Sequence, residues 1–75
     1  PELILISAGF DSREGDPLGN FYLQDEDFSD LTKIIVELAE EHCHGRVVST
    51  LEGGYSLEGL ASASLAHLSS MVYRL

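Results

Sequence analysis

The sequence predicts an α/β fold, a β-α-β-α run built on parallel strands, and three observations carry that expectation. Two short runs, Leu3-Ile4-Leu5-Ile6 and Val47-Val48-Ser49-Thr50-Leu51, are uncharged and rich in β-branched residues, as strands covered on both faces are. Between them, Phe28, Leu31, Ile34, Ile35, Leu38 and Ala39 recur at the spacing of an amphipathic helix. A second helical period follows the second run, through Leu57, Leu60, Ala61, Ser64, Leu65, Leu68, Val72 and Leu75.

Taken in order, the first strand ends where the small residues Ser7, Ala8 and Gly9 let the backbone turn, and Asp11 is the first chemistry-bearing side chain beyond it. Asp16-Pro17-Leu18-Gly19 has the residues of a type I turn, with Leu18 near its apex, either folded onto the core or rimming a pocket. Arg13 and Glu14, on the same polar loop, are expected to face solvent. Asp25 or Asp27 is the expected N-cap of a helix over about residues 26–43, with Gly45 suited to end it. The second strand leaves through Glu52-Gly53-Gly54-Tyr55, and Ser56 caps the last helix, on which Ser62, Ser69 and Ser70 read as surface.

Composition narrows the function. Thirteen acidic against four basic residues give a net charge of −9, which argues against direct nucleic-acid binding. No apolar run approaches the ~20 residues of a membrane span, and the first strand lacks the basic lead-in of a signal peptide. The single cysteine, Cys43, fits a reducing compartment, and a cytoplasmic location is the expectation. With so short a chain and two unpaired sheet edges, the sequence reads as a piece of a larger domain, poorly folded by itself.

Strand exits at the carboxyl edge of an α/β sheet are where ligands bind, so Asp11 and Tyr55 stand out. By residue type alone Asp11 serves as a turn or cap residue, a metal ligand or a substrate-orienting group. Asp16 is accounted for by its turn. Tyr55, after two glycines, is either packed or projected beside a substrate. His42-Cys43-His44 has zinc-ligand types, but neighbours on a helix point about 100° apart and do not converge on one ion.

Ser7-Ala8-Gly9-Phe10-Asp11, Gly15-Asp16-Pro17-Leu18-Gly19 and Glu52-Gly53-Gly54-Tyr55, in that order, resemble the histone deacetylase family. The likeness is strongest to its class II and bacterial deacetylase-like branch, with acetoin-utilisation proteins among the relatives. The resemblance implies a C-terminal segment, residues 1–75, of a single domain with the three-layer arginase/deacetylase fold. It implies one catalytic Zn2+ with Asp11 as a ligand, Tyr55 as the donor to the oxyanion of the acetyl group, and Gly53 and Gly54 beside the acyl tunnel. Leu18 falls at the tunnel mouth, and an apolar residue there favours an acetyl-lysine-like substrate over a cationic acetylpolyamine.

The family's other zinc ligands, an Asp-x-His pair, and its His-His dyad have no match in this chain. A hydrolase acting on acetylated lysine or a small N-acetyl amide is therefore expected of the full domain, with this segment alone inactive and dependent on the rest of the domain for folding. Two alternatives stay open: a noncatalytic acyl-ligand binding module of the same fold, and an arginase-like dimanganese amidinohydrolase, whose motifs are richer in carboxylates.

Overall fold

A computed structural model describes residues 1–72. Its elements are β1 (Ile4–Ala8), α1 (Asp25–His42), β2 (Val47–Leu51) and α2 (Leu57–Val72). The expected β-α-β-α order and parallel pairing are present, in a register running from Ile4 opposite Val47 to Ala8 opposite Leu51. Leu75, placed on the α2 stripe by its spacing, lies outside the described residues.

β1 starts and ends later than its apolar run. Ser7 and Ala8, expected to begin the turn, extend the strand instead, because Thr50 and Leu51 supply partners for them. Within this segment one face of the strands is covered: Ile4, Ile6 and Ala8 point toward the helices, whereas Leu5 is 71% exposed on the other side. Both helices pack on one face, around a core of Ala8, Phe10, Phe28 and Ala63 flanked by Ile6, Leu23 and Leu60. Phe10 and Phe28 meet at a tilted angle with centroids 5.3 Å apart.

α1 begins one residue earlier than the spacing indicates, and its N-cap is Gln24 rather than Asp25 or Asp27. Asp27 stands at the third helical position and its carboxylate accepts the Gln24 N–H at 2.7 Å, so it caps from inside the helix. Asp25, at the first position, is taken up by Arg13 instead. At the other end the helix stops at His42. The Cys43 and Gly45 N–H groups both bond the Ala39 carbonyl, through left-handed backbone at His44 (φ 57°) and Gly45 (φ 77°).

The buried strips of the helices differ from the apolar stripes. On α1, Phe28, Thr32, Val36 and Ala39 face inward, while Leu31 and Ile34 are half exposed on an adjoining strip. On α2 the inward residues are Gly59, Ala63, His67 and Ser70, and Leu57, Leu65, Leu68 and Val72 face away. Small residues on that side let α2 approach α1 closely enough for the Ser29 hydroxyl to reach the Ala66 carbonyl at 3.4 Å. Ser70, read as surface, is thereby buried.

His67 occupies the centre of this packing. Thr32 Oγ1 donates its proton to the Phe28 carbonyl at 2.6 Å and so accepts from His67 Nδ1 at 2.7 Å. With the ring neutral, Nε2 accepts from Ser49 Oγ at 2.8 Å, and the imidazole joins α1, α2 and β2. Burial pushes its pKa below the ordinary 6.5.

Candidate active site

The sheet carries its pairing past the strand ends. The Glu52 N–H bonds the Ala8 carbonyl at 2.8 Å and the Phe10 N–H bonds the Gly53 carbonyl at 2.9 Å, so the two exit loops leave side by side. Ser7 Oγ adds a bond to Glu52 Oε1 at 2.9 Å. Phe10 is anchored below by Phe28 and by the edge of His67, at a centroid distance of 5.7 Å. The next residue, Asp11, is thereby fixed in the backbone just beyond the sheet.

The Asp11 carboxylate lies against Gly53. A Cβ built on Gly53 would fall 2.9 Å from both Cγ and Oδ2 of Asp11, closer than van der Waals contact permits. One built on Gly9 would fall 3.2 Å from Oδ1. Between these two backbones, the Asp11 oxygens take part in none of the hydrogen bonds among the described residues. A partly exposed carboxylate with free lone pairs in a cradle of glycines fits one oxygen donor to a divalent cation. Among the described residues no set of three His, Cys, Asp or Glu side chains gathers to hold a metal, the His42-Cys43-His44 run included.

Asp16 does more than shape its own turn. It is buried, at 8% exposure, and Oδ2 accepts the N–H groups of Leu18 at 3.0 Å and Gly19 at 2.9 Å, closing the turn through the side chain. Oδ1 crosses to the other exit and accepts Tyr55 N–H at 2.7 Å and Ser56 N–H at 3.2 Å. Burial pushes the carboxyl up, but the backbone donors, Tyr55 foremost, outweigh it and hold the pKa below the usual 3.8.

Tyr55 is 54% exposed, and its phenol oxygen makes none of the hydrogen bonds among the described residues. Gly54, before it, has φ 137°, and a side chain there would meet Leu60 and Phe10. Leu18 is 69% exposed and does not fold onto the described core. The structure therefore brings together the loops bearing Asp11, Leu18, Gly53, Gly54 and Tyr55 through the backbone bonds and through Asp16.

Glu14 is exposed as expected, whereas Arg13 is half-buried and engaged. Arg13 grips both oxygens of Asp25, Nε at 3.1 Å and Nη2 at 3.4 Å, and donates through Nη1 to the Glu14 carbonyl at 2.9 Å. The Asp25 partner raises the Arg13 pKa, and the Arg13 bond lowers that of Asp25, against burial and with help from Ser62 Oγ at 3.0 Å. Glu14 accepts from the Gln24 side chain. This cluster fastens the first exit loop to the start of α1 and the second turn of α2, and Ser62, read as surface, belongs to it. Only the opposite charges of Arg13 and Asp25 hinted at this pair; their spacing carries no period.

Parallel strands whose adjoining carboxyl ends carry a free carboxylate and a half-exposed tyrosine define an α/β protein with a strand-end site. The chain belongs to the histone deacetylase family, the Histone deacetylase domain matching residues 1–71. It is 44% identical over 71 residues to Type-2 histone deacetylase 1 of Dictyostelium discoideum, covering 95% of this chain and 5% of that protein. It is 51% identical over 63 residues to the polyamine deacetylase HDAC10 of Homo sapiens, covering 84% of this chain and 9% of that one. The solved histone deacetylase Clr3 superposes with a TM-score of 0.86 at 35% identity, over 96% of this chain and 11% of that structure. The fold is accordingly that of the arginase/deacetylase group, and the chain spans about a tenth or less of these relatives.

Proposed function

We propose that this chain forms part of the active site of a zinc-dependent deacetylase that hydrolyses an acetyl-lysine-like or other small N-acetyl amide. The observation that carries the reading is the juxtaposition of the two exits, with the free Asp11 carboxylate cradled by Gly53 two residues before Tyr55. Family membership supports it, since relatives named as histone and polyamine deacetylases match 95% and 84% of the chain.

Asp11 would contribute one carboxylate oxygen to the metal. Zinc, when bound, supplies Lewis-acid polarisation of the amide carbonyl and activation of water. The chain's own residues then do the rest of what this segment offers. The Tyr55 phenol donates a hydrogen bond to the acetyl oxygen as negative charge develops on it. Gly53 and Gly54 leave the substrate room beside the backbone, and Leu18 provides an apolar rim at the entrance. The remaining metal ligands and the proton-handling groups come from elsewhere in the domain, so the chain by itself is inactive.

The test uses the complete protein and an acetyl-lysine peptide, with zinc content measured alongside turnover. Asp11→Ala should lose zinc and activity together, and a fully metallated, active variant removes Asp11 from the metal. Tyr55→Phe should keep its zinc and lose turnover by a factor on the order of 10² or more. Near-normal kcat in that variant defeats the oxyanion role.

A further inference from the structure

We infer that Asp16 is a positioning residue for the reaction: from the first exit loop it grips the backbone of the second and so sets where the Tyr55 phenol stands. The inference rests on the deacetylase reading of Tyr55 and concerns how that residue is held. An ionised carboxylate offers about four lone-pair sites. In Asp16 these meet four backbone N–H groups, those of Leu18, Gly19, Tyr55 and Ser56. No capacity is left for a metal or a substrate. Asp11 shows the opposite condition, with no hydrogen bond on either oxygen among the described residues. The two aspartates of one loop thus divide the work, one open to a ligand and the other saturated by the backbone.

The anchor matters because of what Tyr55 lacks. Its side chain is half exposed and its phenol oxygen is held by no partner among the described residues, so within this segment its direction follows from the backbone. Its N–H makes the shortest of the four Asp16 bonds, 2.7 Å, and the left-handed Gly54 leads directly into it. A preorganised donor works only at the point where charge develops, and a misplacement of about 1 Å can cost on the order of 10²-fold in rate. Asp16→Asn turns one acceptor oxygen into an NH2 group facing two N–H donors, so one of the two loops is released whichever way the amide turns.

In the complete protein, Asp16→Asn should lower kcat by roughly 10- to 100-fold, with zinc content and KM near those of the unaltered enzyme. In a Tyr55→Phe background the same change should cost little more, because the phenol it positions is already gone. Asp16→Glu, which keeps both acceptor oxygens, should recover part of the loss. Full activity in Asp16→Asn, or an equal loss with and without the Tyr55 hydroxyl, overturns the positioning role alone. Wild-type turnover in Tyr55→Phe overturns the oxyanion reading and this role with it. If Asp16→Asn does not fold, amide hydrogen exchange on the unaltered protein decides: Tyr55 and Ser56 should be protected like β2, and exchange at open-loop rates refutes the anchor.

Discussion

A methyl group on Gly53 would collide with the Asp11 carboxylate, and that one contact makes the candidate site sensitive to a substitution bearing no functional group. Overpacking of this kind costs about 1–3 kcal/mol when neighbours must shift, and here the neighbour is the proposed metal ligand. Gly53→Ala in the complete protein should therefore lower zinc occupancy and deacetylation together, as read by metal analysis and a turnover assay. Unchanged values for both would mean that Asp11 has room to move aside. At this scale the sequence was informative about chemistry-bearing side chains at the strand exits, which is why Asp11 and Tyr55 stood out. It was silent on Asp16 as a bridge, because half of that residue's bonds go to N–H groups some forty positions away, and backbone donors have no residue type.

Between elements, the contact that joins most is the His67 imidazole, set between Thr32 of α1 and Ser49 of β2. Thr32→Val keeps the shape but leaves the Nδ1 proton without an acceptor in a buried place, a loss of about 1–3 kcal/mol. Denaturant titration of the complete protein measures it. The imidazole also gives a pH dependence of known sign. Its folded pKa lies below the ordinary 6.5, so as pH falls past that value the unfolded chain takes up a proton that the folded one refuses. Stability should be full above about pH 6.5 and decline below it until the folded pKa is passed, with this contribution absent in His67→Gln. The helices themselves were legible from their periods, but the sides they bury were not. α1 has two adjoining apolar strips, and α2 turns its small residues inward, so hydrophobic spacing alone does not say which side packs within this segment.

For the molecule as a whole, order and pairing followed from two uncharged runs and the helical period between them. Coverage of the sheet did not. Leu5 is 71% exposed on the open face, and Leu57 and Val72 are 86% and 70% exposed on the outer side of α2. Each such side chain, left in water, forgoes about 1.5–3 kcal/mol of burial, while ordering the backbone costs about 1–2 kcal/mol per residue. The 75-residue chain alone is expected to show no cooperative thermal unfolding by circular dichroism, and a sharp two-state transition would contradict this. Finally, the carboxylate that clasps both exits makes them a single exchangeable part. A chimera that imports Gly53-Gly54-Tyr55 without the Asp16 loop, or that loop without its counterpart, leaves N–H groups or an anion stranded. Exchange of one loop alone should succeed only where the other still supplies its half of the clasp, as read by expression and thermal stability of the chimera.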